Sequence, residues 1–293
     1  QALSGSWFAF PWCARWLPAR LSDLFDFVRD TTMRVAIIVE DESAVHCLRL
    51  LTGRGCEIFA VAANPPQCLA FARQCMELGV HFVAMQDARL AATAIKGFGA
   101  EIVVCTAEHG HAVSLLEALG DSSAKRYLLR VGLHLAAAPW PEFGPIWFGH
   151  TNSKVALLAA GTGDVVASSM VPVGLAETAI TLQLKHAQAA AALLEAYVTG
   201  GSKQGQVVAA IQLQPMEEGP VPATISPSWD EDRVDRFVRA RLLPPHDPAV
   251  FQDPESGREY LIENLRQWHE LRSALQTAAG CIGASTGNGG YAA

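Results

Sequence analysis

The chain has 293 residues, half of them hydrophobic and 17% charged, with a formal net charge of −7. That composition supplies a globular core and excludes a disordered chain. The acidic balance argues against a protein built to hold nucleic acid, which needs a basic face.

Residues 1–32 stand apart from the rest of the chain. Ser6 to Trp12 is aromatic and broken by Pro11, and Ser22 to Asp30 reads as a short amphipathic helix. Arg15 and Arg20, with few early acids, form a faint transit-peptide signature. The expectation is a poorly ordered leader on a cytoplasmic protein, or an organellar one if the leader is a transit peptide. No apolar run is long enough to span a bilayer. The seven cysteines include no C-x-x-C pair and read as reduced, mostly buried thiols of an intracellular protein.

Met33 opens a regular pattern. Arg34 to Val39 is a continuous apolar run, the mark of a strand buried on both faces. Ser43 to Leu51 comes next as a helix, then a strand at Glu57 to Ala62 and a helix from Pro66 to Leu78. Further strands are expected at His81 to Ala84, Glu101 to Cys105 and Tyr127 to Val131, with helices at Ala88 to Ile95 and Ala112 to Leu119. Alternating strands and helices predict an α/β fold: a Rossmann-like open parallel sheet of five to seven strands, with helices on both faces. The first strand–helix turn, Glu40-Asp41-Glu42-Ser43, has no glycine and three acids, which speaks against a nucleotide-binding turn. A helix cap by Asp41 or Ser43 explains it better.

After Val131 comes Gly132-Leu133-His134, then a loop rich in proline and tryptophan from Pro139 to Trp147. Val165 to Val173 reads as one more strand. Glu177 to Tyr197 reads as a long helix with Leu182, Leu184, Ala189 and Leu193 on its apolar side. A linker runs to Gly219. Then come a charged helix from Asp230 to Ala240, a hairpin within Ala249 to Ile262, a helix from Glu263 to Ala278 and a Gly/Ser/Ala tail expected to be disordered. The expected division is a leader (1–32), an α/β domain (33–205), a linker with a small C-terminal extension (206–278) and a tail (279–293).

The order of these pieces resembles the formyltransferase family that uses 10-formyltetrahydrofolate. Val131-Gly132-Leu133-His134 falls where that family carries Asn-x-His, and Pro139 falls on its loop proline. Gly161-Thr162-Gly163-Asp164-Val165-Val166 resembles its Asp-x-Gly-Asp-Ile-Leu box. Val238-Arg239-Ala240 followed by Pro244-Pro245 resembles its Ile-Arg-Ala-x-x-Pro-Pro box. The resemblance spans Met33 to Phe251. It implies the formyltransferase fold, 10-formyltetrahydrofolate as donor and a small-molecule primary amine as acceptor. A tRNA acceptor is disfavoured by the charge and by the short chain after Phe251, and no membrane partner is expected.

Residue by residue, the resemblance implies His134 as the catalytic residue. It places Cys105, Glu108, His109, His111, Gly161 and Asp164 around the donor. Glu108, His109 and His111 are too few ligands for a metal centre, and none is expected. Two family side chains are replaced here: the asparagine by Gly132 and the catalytic aspartate by Gly161. The family Arg-Gly of the loop is missing, with Glu142-Phe143 near its place. The expected activity is therefore weak formyl transfer, or none, the alternative being a catalytically degenerate binding or scaffold protein. Trp140 and Trp147 are open to either reading, pocket lining or packing. Ser168-Ser169 carries no hydrolase signal.

Overall fold

The computed structural model describes residues 32–39, 44–62, 69–84, 87–106, 111–132, 140–200, 221–244 and 246–285, with backbone alone at 70, 111–113 and 278–285. The leader, the acidic 40–43 turn and the 201–220 linker lie outside these residues.

Strand β1 (Arg34–Val39) has five consecutive buried residues, so it can only sit mid-sheet with both faces covered. It does: the sheet order is β3-β2-β1-β4-β5-β6-β7. Strands β2 (Glu57–Ala62), β3 (His81–Ala84), β4 (Ile102–Cys105) and β5 (Lys125–Val131) run parallel to it, as the alternation of elements predicts. Helices α1 (Val45–Gly53), α2 (Leu69–Leu78), α3 (Ala88–Phe98) and α4 (His111–Ala118) make the crossovers. Ala44 stands at the N-cap of α1 and gives no side-chain cap; Asp41 and Ser43, the expected caps, lie outside the described residues. Helix α3 shows a fuller set of local signals. Asp87 accepts the N–H groups of Arg89 and Leu90, and Gly99 closes the helix in the left-handed region at φ 72°.

The sheet is not parallel throughout. Strands β6 (Asn152–Ala159) and β7 (Val165–Pro172) add an antiparallel meander at one side. Sequence reasoning misses β6. Its alanines and leucines have no strong strand preference, and burial between β5 and β7 decides the conformation. A short helix, α5 (Phe143–Trp147), also forms inside the proline- and tryptophan-rich loop, with all five residues buried.

Helix α6 (Ala179–Val198) starts at a capping box made by Thr178 and Thr181. Its buried stripe includes Leu182, His186, Ala190, Leu194 and Val198. Leu184, expected on that side, is exposed, because two helical positions turn the side chain about 200° away from Leu182. Helix α6 packs with α1, α2 and α7 (Glu231–Arg241) on one face of the sheet, while α3 and α4 cover the other. Beyond α7 come the hairpin β8 (Ala249–Gln252) and β9 (Glu259–Ile262) and then helix α8 (Leu265–Ser285). Trp268 anchors α8 in the larger core and is 2% exposed. The composition predicts loss of structure from Gly280, but α8 runs to Ser285, the alanines around its glycines favouring helix.

Among the described residues, Cys47, Cys75 and Cys105 are buried and Cys56 is half-buried. Burial pushes the Cys75 thiol up to about 12 and raises that of Cys56. No helix of the described residues is long and apolar enough to cross a membrane.

Candidate functional site

Parallel strands β1 to β5 end together at Val39, Ala62, Ala84, Cys105 and Val131. In open α/β sheets, ligands bind in the crevice outside such carboxyl ends. The described chemistry at this edge begins at Gly132, just past β5. Gly132 has φ 76°, in the left-handed region, and its N–H donates to the Lys154 carbonyl at 2.9 Å. The Gly132 backbone donor is therefore taken up inside the sheet. A Cβ added at Gly132 would meet the Cβ of Pro141 at 2.7 Å and its carbonyl oxygen at 2.7 Å. A side chain is excluded twice here, by backbone conformation and by contact.

Pro141 thus brings the chain back to the point it left at Gly132. The residues around it are held firmly. Trp140 donates its indole N–H to the Ala240 carbonyl at 3.0 Å and stacks on His246, with ring centroids 4.6 Å apart. Phe143 and Trp147 meet Phe237 edge to face, and Trp229 packs on Trp147 at 5.2 Å. The Arg241 guanidinium lies 5.2 to 5.8 Å from the ring centroids of Phe237, Trp140 and Phe143. Trp140 and Trp147 are both buried in this cluster, which makes them packing residues.

Sequence reasoning also misses a buried polar cluster beside the same loop. His186 Nδ1 faces Glu142 Oε1 at 3.1 Å, and its Nε2 faces Ser153 Oγ at 2.8 Å. All three residues are buried, His186 completely. With Glu142 ionised, Nδ1 carries the proton and donates, and Nε2 accepts from the Ser153 hydroxyl. The order serine–histidine–carboxylate matches that of a nucleophilic relay. Burial closes it to substrate, so its role is to fasten Glu142 to α6 and β6. The one signal in the sequence is a histidine set in the buried stripe of an alanine-rich helix.

The sequence-predicted site residues separate into three groups. His134, Glu108 and His109 lie outside the described residues, and His111 opens α4 with only its backbone described. Cys105 ends β4, buried, at the same edge as Gly132. Gly161 and Asp164 do not join them. Strand β6 runs antiparallel to β5, with Tyr127 opposite Ala159 and Val131 opposite Val155. The β6–β7 turn therefore falls beside the start of β5, where the Ala160 N–H donates to the Arg126 carbonyl at 2.9 Å. Four residue steps along β5 take Tyr127 to Val131, about 13 Å at the usual rise. The expected single pocket is corrected to two opposite edges of the sheet, because the direction of β6 carries the Gly161–Asp164 turn away. Both residues are exposed, Gly161 at φ 110°, and Asp164 is not placed to stand in for a carboxylate beside Gly132. Among the described residues, no cluster of histidine, cysteine, aspartate and glutamate could hold a metal ion.

No protein-family model matches the chain, and no curated protein matches it. Solved structures do. A 4-N formyltransferase from Francisella tularensis superposes with a TM-score of 0.54 at 13% identity, covering 80% of this chain and 99% of that one. HypX from Aquifex aeolicus, in complex with tetrahydrofolic acid, gives a TM-score of 0.53 at 15% identity. That match covers 80% of this chain and 38% of HypX. At such identities the likeness establishes the fold: this is an α/β chain with the formyltransferase fold.

Proposed function

We propose that this protein binds a reduced folate at the carboxyl edge of its sheet and acts in formyl transfer to a small primary amine, slowly. The observation that carries the binding reading is the fold itself, shared over 80% of the chain with a formyltransferase and with a protein bound to tetrahydrofolic acid. Of the strand cations, Arg130 and Lys154 lie toward this edge.

When bound, 10-formyltetrahydrofolate would supply the formyl group. His134, which comes after β5, is proposed to donate a hydrogen bond to the formyl oxygen as negative charge develops there, or to take the proton released by the amine. A second donor is missing. Gly132 has no side chain, and its N–H is committed to the Lys154 carbonyl. Loss of one such donor lowers a rate by about 100- to 1000-fold. Gly161 supplies no carboxylate, and it lies at the other edge.

The closed contact at Gly132 also favours a second reading, a formyltransferase-fold protein kept for binding alone. Single-turnover transfer from 10-formyltetrahydrofolate to amino sugars and other small amines separates the two. Slow transfer that disappears in His134→Ala supports the catalytic reading. Binding of the folate without transfer supports the second. Absence of both, on folded protein, removes the proposal.

A further inference from the structure

Lys154 is the third residue of β6 and lies directly opposite Gly132, whose N–H its carbonyl receives. Side chains alternate along a strand. Ser153, Val155 and Leu157 face α6, as shown by the Ser153–His186 hydrogen bond and by the shared core with Leu182 and Leu194. Lys154 therefore projects from the other face, at the carboxyl edge of the parallel strands. It is only 9% exposed. Among the described residues its ammonium has no ion pair and no hydrogen bond.

A lysine whose stem is covered and whose ammonium has no described partner presents that charge to an anionic partner at the edge. Nothing in β5, β6 or β7 supplies that partner, since the three strands hold no acid. Arg130 shares the face by the same alternation, two positions before Gly132, and adds a second positive charge. Lys154 lies level with Gly132, one residue past the end of β5. It stands where an open α/β sheet takes its ligand.

We propose that Lys154 is a ligand-binding residue whose ammonium receives an oxyanion, a carboxylate or a phosphate, of the molecule held at this edge. The inference rests on the reduced-folate reading for the identity of the ligand, whereas the cation site itself does not depend on it. The carboxylates of a reduced folate and the phosphates of a nucleotide-linked amine share the required chemistry.

Calorimetric titration of the full chain with 5-formyltetrahydrofolate, and separately with inorganic pyrophosphate, tests the site. Wild type is compared with Lys154→Met, Lys154→Arg and, as a control at the opposite edge, Lys96→Met. Charge-assisted hydrogen bonds lead to an expected loss of about tenfold or more in affinity for Lys154→Met. Lys154→Arg should stay within about threefold of wild type, and Lys96→Met should be unchanged. Circular dichroism should show Lys154→Met folded, because methionine keeps the buried stem and removes only the charge.

Folate binding that is equal in wild type and Lys154→Met overturns the proposal and leaves the folate reading standing. Pyrophosphate binding lost in Lys154→Met, with no folate binding in wild type, supports the lysine site and overturns the folate reading. Wild type that binds neither ligand overturns the proposal.

Discussion

Gly132 and Pro141 are in contact so close that no side chain fits between them: a Cβ on Gly132 would come within 2.7 Å of the Pro141 ring and carbonyl. The loop that carries His134 thus begins and ends at one point. The contact closes the neck of this loop. Gly132→Asn is expected to destabilise the protein by about 2–4 kcal/mol, from positive-φ strain together with overpacking, and to restore no activity. Urea denaturation with a transfer assay checks both halves. A stable and faster variant would contradict this reading of the neck.

Gly161→Asp should behave differently. No atom lies within 4 Å of the position where its Cβ would be, so the cost is backbone strain alone at φ 110°. The expected loss is about 1–3 kcal/mol. Folate binding should be unchanged, because the turn is at the opposite edge. A change in folate affinity, measured by calorimetry, would count against the two-edge arrangement.

His186→Ala removes the only described partner of the buried Glu142 carboxylate. The expected cost is about 3–5 kcal/mol, typical of a buried charge left uncompensated. Ser153→Ala removes one hydrogen bond and should cost about 1 kcal/mol. Denaturant midpoints of the two variants should differ accordingly. Equal midpoints would show that the cluster does not hold the loop base as described.

How far this architecture can be read from the residues depends on what each element needs. Strands β1, β2 and β4 announce themselves as short apolar runs, and Asp87 and Gly99 mark the ends of α3. Asn152 to Ala159 gives no such signal. Its alanines and leucines suit a helix as well as a strand, and only its neighbours β5 and β7 settle it. With β6 unseen, the edge on which Gly161 and Asp164 fall cannot be read. Gly132 stands out only through the family resemblance, and its contact with Pro141 spans nine positions and depends on the folded loop. His186 is hidden because an alanine-rich helix reads as simple packing, and its partners lie 33 and 44 positions away.

Glu177 links pH to stability. Burial works to raise its carboxyl, and hydrogen bonds from Lys185 and the Gly174 N–H act against it, leaving the pKa below the ordinary 4.5. A carboxyl depressed on folding stabilises the protein above its unfolded pKa. That contribution is lost as pH falls through the folded value. Lys185→Met should therefore lower stability at pH 7, with the gap to wild type shrinking as pH drops below about 4.5. A gap that stays constant down to about pH 3 would mean that the Lys185 contact acts through packing alone.

Hydrogen exchange with and without 5-formyltetrahydrofolate tests the location of the site most directly. Peptides spanning 102–111 and 129–142, at the carboxyl edge, should exchange more slowly with the ligand. Exchange across 160–165, in the β6–β7 turn, should not change. Protection centred on 160–165, or no protection anywhere at saturating ligand, would contradict that location.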